Sequence, residues 1–196
     1  MSGLAAIVLA GGAGRRLGGP SKPALPVAGH SMLDRVLGAV RDAAPVVVVG
    51  SLPVPAGVLS TVEDPPGSGP VAATAAGFAL LPRDVTEVAL LAADLPLLTP
   101  AAITHLRHQL EASTVDGALY VDVDGRRQFL CGVWRAAALR SALHRLAAGR
   151  GLPGASMRAL LAEVEVREVA WTEPGPPPWF DCDTDDDLRQ AEEWAR

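Results

Sequence analysis

Six consecutive apolar residues, "AAIVLA" over 5–10, form the first patterned segment of the chain. A run that short, with no polar alternate, reads as a strand covered on both faces. The rhythm changes at "SMLDRVLGAVRDAA", where Leu33, Val36, Leu37 and Val40 recur at helical spacing. Ser31 and Asp34 stand there in capping-box positions. "PVVVVG" is a second buried strand and "VLSTVED" a third, weaker one. "GSGPVAATAAGFALL" reads as a helix with Pro70 at its first position, where a missing N–H costs nothing. "EVALLAAD" is the fourth strand, and "TPAAITHLRHQLEA" a helix capped by Thr99 with Pro100 behind the cap.

Strands alternating with helices in this cadence predict a mostly parallel sheet with helices on both faces. Ligands of such sheets gather outside the carboxyl ends of the strands. Three strand ends therefore become candidates: Ala10–Gly12, Glu63–Asp64 and Asp94.

The second half is less regular. "ALYVDVDGRRQFLCGVW" predicts two strands around an Asp124-Gly125 turn. A helix over Arg135–Ala148, a glycine-rich break and a short helix near Ser156–Ala162 follow, and "VEVREVAW" is a late strand. "TEPGPPPW" has four prolines and cannot be a central strand. "DTDDDLRQAEEWAR" closes the chain as a capped helix with three acids in its first turn, where the helix dipole favours them. With no internal repeat or long linker, residues 1–196 are expected to form a single three-layer α/β/α domain. Its sheet is Rossmann-like and mostly parallel, with a β-hairpin insertion in the second half. Residues 1–112 would form the first half of that domain and 113–196 the second.

Composition narrows the partners. Apolar runs stay far below the roughly 20 residues of a membrane span, and the first residues lack the charged, apolar and cleavage regions of a signal peptide. The expectation is a cytoplasmic protein without a membrane partner. With 17 basic against 22 acidic side chains the net charge is −5, which argues against nucleic acid as a partner. Any bound anion must be held by a local cationic cluster. Cys131 and Cys182 form no CxxC pair and read as reduced thiols. His105 and His108, spaced i, i+3 with no third ligand nearby, read as surface.

That cationic cluster lies in "LAGGAGRRLGGPSK" over 9–22. A dinucleotide fingerprint fails there, because Gly12 and Gly14 are followed by Leu17. A Walker A loop fails as well, because Ser21 rather than glycine precedes Lys22. The physical suggestion survives both failures. Gly11 and Gly12 let the backbone approach a phosphate, and Arg15, Arg16 and Lys22 would screen a triphosphate's charge. The alternative is a glycine-rich surface turn with solvated basic residues.

The same residues resemble the signature loop of nucleotidyltransferases, and within them the molybdenum cofactor guanylyltransferases, whose loop reads roughly L-A-G-G-x-x-x-R-M-G-G-x-D-K. Leu9, Ala10, Gly11, Gly12, Arg16, Gly18, Gly19 and Lys22 fall in step without a gap; Leu17 replaces methionine and Ser21 replaces aspartate. "EDPPGSGPVAATAAG" is similar to the family's acid before G-P-x-A-G and puts Asp64 where a guanine-contacting acid is expected. "AADLPLLTP" resembles the segment with the metal-binding aspartate, here Asp94. "GRRQFLCGVW" and "FDCDTDDDL" resemble the later acceptor-side motifs, although Asp181, Asp183 and Asp185 stand where the family often has N-x-N-T-P.

The resemblance implies transfer of GMP from GTP to the terminal phosphate of molybdopterin, with Mg²⁺ on Asp94. Lys22 would stabilise charge on the triphosphate or the transition state, and Arg16 would clamp the leaving phosphates. Leu9, Ala10, Gly11, Gly12, Arg16, Lys22, Asp64 and Asp94 would form the GTP site. It also implies transient contact with molybdenum cofactor biosynthesis proteins or apo-molybdoenzyme chaperones. Asp183 is either a second metal contact or part of the acidic start of the last helix. Arg126 and Arg127 would meet the acceptor phosphate or stay solvated at a hairpin tip, and Trp134, Trp171 and Trp179 either stack on a pterin or pack. Rival readings are a CTP-dependent sister enzyme, which tends to read L-A-A-G, another small-acceptor nucleotidyltransferase, and a nucleotide-binding regulatory protein without turnover.

Overall fold

The computed structural model describes residues 3–11 and 21–196. Nine strands and six α-helices are defined among them: β1 (Leu4–Leu9), β2 (Pro26–Val27), β3 (His30–Ser31), α1 (Met32–Ala39), β4 (Val46–Val49), β5 (Leu59–Thr61), α2 (Pro70–Ala79), β6 (Glu87–Ala92), α3 (Pro100–Glu111), β7 (Gly117–Val121), β8 (Arg127–Arg135), α4 (Ala136–Gly149), α5 (Met157–Leu160), β9 (Val166–Ala170) and α6 (Asp185–Trp194). Seven strands make one sheet in the order β5-β4-β1-β6-β8-β7-β9. Strands β5, β4, β1 and β6 run parallel, as do β7 and β9, while β8 runs antiparallel to both its neighbours.

Side-chain alternation along the buried strands sorts the core into two layers. Leu4, Ala6 and Val8 of β1 join Ala89 and Leu91 of β6 under α1 and α3. Ala5, Ile7 and Leu9 join Val88 and Leu90 under α2, α4 and α5. Both faces of β1 and β6 are thus covered, which is why these strands read as unbroken apolar runs. A third cluster, Val27, Met32, Cys182 and Ala191, fastens α6 to the β2–β3 ribbon.

The predicted caps are present. Ser31 accepts from the Asp34 N–H, Thr99 from that of Ala102, and Thr184 and Asp187 close a reciprocal capping box on α6. The hairpin of the second half is also present, and its strands β7 and β8 are incorporated into the main sheet, with β8 between β6 and β7. The β2–β3 ribbon has no counterpart in the sequence pattern, since two-residue strands carry no periodicity. Trp134 is fully buried, and a Cβ on Gly117 would lie 2.1 Å from its ring. It is therefore a packing residue, which settles one of the three tryptophan alternatives. Among the described residues, no helix is long and apolar enough to cross a membrane.

Candidate active site

A cleft of about 1080 Å³ opens across the carboxyl ends of β5, β4, β1 and β6 and continues onto β8. Its lining runs from Val62, Glu63, Pro66 and Gly67 after β5, through Gly50 to Leu52 after β4 and Ala10 and Gly11 after β1, to Asp94 after β6. Gln128 to Cys131 of β8, with Trp179, Asp181 and Asp183 of the C-terminal loop, complete the far side. The switch-point rule for open α/β sheets puts ligands in this place.

The ends of β1 and β4 are pressed together: a Cβ on Gly50 would come within 3.0 Å of the Ala10 backbone. The Ala10 N–H donates to the Val49 carbonyl at 2.8 Å, fixing the level at which β1 stops. Beyond it a Cβ on Gly11 would meet no atom of the described residues within 4 Å, and Gly11 lines the cleft. The expected site residues Gly12 and Arg16, and their neighbour Arg15, lie outside the described residues.

Asp94 sits two residues past β6 and is held from both sides. Arg35 Nε of α1 donates to the Pro96 carbonyl at 2.5 Å, and the Cys182 N–H reaches the Asp94 carbonyl at 3.4 Å. Capping of α3 falls to Thr99, which leaves the Asp94 carboxylate to the cleft. Lys22 begins a single turn of 3₁₀ helix over Lys22–Ala24, and its side chain crosses to that carboxylate. Its Nζ lies 2.5 Å from Asp94 Oδ2 and 2.8 Å from Asp183 Oδ1. Burial alone would lower the Lys22 pKa; the hydrogen bonds and charges of Asp183 and Asp94 outweigh it, and the net shift is upward. The ammonium is therefore permanently charged at neutral pH.

Asp183 is accordingly placed with Lys22 at the cleft. The acidic helix start is organised instead by Asp187 Oδ2, which accepts from the Asp183 and Thr184 N–H groups at 3.0 and 2.8 Å. Asp181 lines the same wall. Its pKa is raised by loss of solvent and then by the charges of Asp183 and Asp94, with a backbone hydrogen bond and Lys22 acting the other way. A folded-state value above the unfolded one means the charged form is penalised on folding. The penalty is full above the folded-state value and absent below the unfolded one, near pH 3.9. Without divalent cation, Asp181→Asn is therefore expected to raise the unfolding temperature at pH 7, with a smaller gain at pH 4. Calorimetry at the two pH values checks both the sign and the trend.

The remaining candidates separate. Leu9 and Ala10 line the cleft with Gly11. Asp64 is exposed and is not among the lining residues, whereas its neighbour Glu63 is buried and lines the cleft. Arg127 is engaged with Glu168 of β9 at 2.7 Å, and the adjacent Gln128 faces the cleft. Trp179 lines the cleft and packs on Tyr120 at 5.2 Å between ring centroids, with Trp171 edge-on to the same tyrosine. Cys131 and Cys182 are free and buried; burial pushes both thiols up, Cys182 to about 12. Neither is a ready nucleophile.

Whether these residues suit a divalent cation is answered by the donors. Asp94 and Asp183 both reach the Lys22 ammonium, so the described residues already bring two carboxylates together around a positively charged group. Among the described residues, no group of three or more His, Cys, Asp or Glu could hold a metal ion. A carboxylate pair with open positions is what Mg²⁺ accepts, because it keeps waters and takes further oxygens from substrate phosphates.

Comparison with known proteins identifies the family and the fold. The family model described as a MobA-like NTP transferase domain matches residues 6–169. A curated relative, the molybdenum cofactor guanylyltransferase of Acidiphilium cryptum (strain JF-5), is 34% identical, over 97% of this chain and 95% of its own. Among solved structures, molybdopterin-guanine dinucleotide biosynthesis protein A of Archaeoglobus fulgidus superposes with a TM-score of 0.70 at 21% identity, covering 96% of this chain and 97% of that one. Rv0371c of Mycobacterium tuberculosis H37Rv in complex with manganese superposes with a TM-score of 0.68 at 20% identity, covering 97% of each chain. The last two likenesses speak for the fold.

Proposed function

The chain belongs to the MobA-like NTP transferase family, and from that premise we propose that it transfers GMP from GTP to the terminal phosphate of molybdopterin, releasing pyrophosphate and forming molybdopterin guanine dinucleotide. The observation that carries this reading is the meeting of Lys22 and Asp94 on the floor of a cleft with room for both substrates. A regulatory protein that had lost turnover would lack one of these two residues.

An oxygen of the acceptor phosphate forms a bond to the α-phosphorus of GTP. The bond from that phosphorus to the β-bridging oxygen breaks, and its electron pair leaves with pyrophosphate. The attacking phosphate is already anionic, so no general base and no covalent enzyme intermediate are needed. The difficulty is repulsion between anions, which positioning and fixed positive charge relieve.

Lys22 supplies fixed charge at the cleft floor. Its position between two carboxylates both maintains its proton and aims its Nζ. Gly11 admits the triphosphate beside the β1 terminus, and Arg16 is assigned to the leaving phosphates on the strength of the loop resemblance. Asp94 and Asp183 would hold the divalent cation, taken as Mg²⁺. When bound, that cation neutralises phosphate oxygens as charge moves onto the leaving group. The β8 side of the cleft, with Gln128, Phe129 and Trp179, is left for the acceptor. On this reading the enzyme works in the cytoplasm and passes its product to a molybdenum cofactor biosynthesis protein or an apo-enzyme chaperone.

The test is a thermal-shift panel of GTP, CTP, ATP and UTP with Mg²⁺, run beside pyrophosphate release. At a hundredfold excess over Kd a ligand adds about 2.7 kcal/mol, which for a chain of this size is about 5–10 °C. GTP is expected to give that shift and CTP a smaller one, with pyrophosphate appearing only when acceptor is added. A larger shift with CTP overturns the base assignment.

A further inference from the structure

Among the described residues Ala28 is the one non-glycine at positive φ, 49°, and Gly29 after it has a φ of 82°. Two central residues at positive φ mark the primed two-residue hairpin turn, where asparagine or aspartate commonly stands first and glycine second. Alanine has no side-chain polar group to offset the crowding of its Cβ against the following carbonyl. Its conformation is held from elsewhere in the fold. Glu192, in the last turn of α6, accepts from the Ala28 N–H through Oε1 at 3.0 Å. Both residues are half-buried, so this bond is partly shielded from water.

The same helix meets this segment at a second point. Asp183, two residues before α6, accepts from Lys22 Nζ at 2.8 Å. With ten residues α6 is about 15 Å long. One rigid element thus reaches Lys22 at its start and the turn at 28–29 near its end. Between those two points the chain is tied to itself. The Leu25 N–H donates to the Lys22 carbonyl at 3.1 Å, and the Leu25 carbonyl accepts from the Met32 N–H at 3.0 Å. Val27 and Met32 are fully buried against Cys182 and Ala191. A shift of the turn is therefore passed to Leu25, and from Leu25 to the 3₁₀ turn that begins at Lys22. A lysine side chain is flexible, so where its Nζ rests depends on where its backbone is fixed.

From this arrangement we infer that Glu192 is a positioning residue for the transferase: its bond to the Ala28 N–H holds the turn at positive φ and so keeps Lys22 Nζ between Asp94 and Asp183. The inference rests on the guanylyl-transfer reading for the step that Lys22 serves. The placement of Lys22 itself can be read without substrate.

The experiment compares the full chain with Glu192→Ala, Glu192→Gln and the double variant that joins Glu192→Ala to Ala28→Gly. Each is measured for pyrophosphate release from GTP with Mg²⁺ and acceptor, for Mn²⁺ binding without nucleotide, and for unfolding temperature. Glu192→Ala is expected to lower the rate by about tenfold or more, since a misplacement of about 1 Å can cost up to a hundredfold. Its unfolding temperature should fall by only a few degrees. Mn²⁺ binding should tighten, because an ammonium that has slipped from between Asp94 and Asp183 competes less. Loss of a negative charge, or a loosened fold, acts in the opposite direction. Glu192→Gln removes the same charge but keeps the acceptor, so its rate should stay within about threefold of the unaltered chain. Glycine at 28 adopts the turn without crowding, so the double variant should recover most of the rate and the weaker Mn²⁺ binding. An unchanged rate in Glu192→Ala overturns the inference, as does a reduced rate without tighter Mn²⁺ binding. So does an equal loss in Glu192→Gln, a double variant that recovers nothing, or a Glu192→Ala chain that fails to fold. A full chain that releases no pyrophosphate from GTP overturns the guanylyl-transfer reading alone, and the Mn²⁺ series still decides the inference.

Discussion

Asp94→Asn is expected to lower the rate of pyrophosphate release by at least a hundredfold while leaving the unfolding temperature almost unchanged. The two effects separate because the residue's surroundings separate them. Structurally, Asp94 is fixed through its backbone: its carbonyl accepts the Cys182 N–H, and the turn after it is held by Arg35. Asparagine keeps the shape and can still accept from Lys22 Nζ, which also retains Asp183 at 2.8 Å. No buried charge is stranded, so little stability is lost. On the proposed mechanism, turnover depends on the charge that asparagine lacks. Removing one preorganised electrostatic contact in a site of this type costs about 3 kcal/mol, roughly a hundredfold in rate. Here the loss is compounded by the removal of one of the two carboxylates able to hold a divalent cation. Titration of the nucleotide-free protein with Mn²⁺ gives a readout independent of turnover, and weaker binding in Asp94→Asn is expected. Unchanged Mn²⁺ affinity would take the metal away from Asp94.

This separation also explains how far the pattern of residues could carry the fold and the site. Strands β1, β4 and β6 are legible because both their faces are buried, and helices α1, α3 and α6 because Ser31, Thr99 and Thr184 cap them locally. Such signals lie within a few residues of what they specify. Strand order has no such local mark. Nothing in "RRQFLCGVW" states that β8 will insert between β6 and β7, because that placement is decided by which apolar faces remain to be covered. The β2–β3 ribbon turns through Ala28 and Gly29, with φ of 49° and 82°. An alanine is not the residue expected at a positive φ; it is retained where its N–H donates to Glu192, 164 residues away.

The site shows the same division. Lys22 and Asp94 are 72 residues apart, and the cationic loop, the strand-end rule and the family resemblance nominate both. In the sequence Asp183 stands open between a second metal contact and one more acid before a helix already rich in them, and only the fold shows it facing Lys22. The choice between Glu63 and Asp64 depends on side-chain direction just after a three-residue strand, where alternation has no length over which to be counted. One step along the chain exchanges a solvated acid for a buried one.

Lys22→Ala is the second large effect, and its size follows from what the ammonium does before substrate arrives. With Nζ in place, Asp94 and Asp183 share one positive charge, and Asp181 stands close enough to feel all three. Removing it leaves carboxylates facing one another. Asp183 is 66% exposed, and solvent screens most of that repulsion, so the unfolding temperature should fall by only a few degrees. Turnover should fall about a hundredfold or more, because the charge lost is one the reaction needs as electron density moves onto the leaving pyrophosphate. Lys22→Arg is the informative companion. It restores a charge, but as a planar fork rather than a compact ammonium able to fit between two carboxylates, so it should recover stability more fully than rate. In the absence of nucleotide, Lys22→Ala should bind Mn²⁺ more tightly than the unaltered protein, since the competing ammonium has gone. A matched loss of rate and stability in Lys22→Ala, fully reversed by Lys22→Arg, would make Lys22 a structural clamp and return the chemistry to the arginines of the glycine loop.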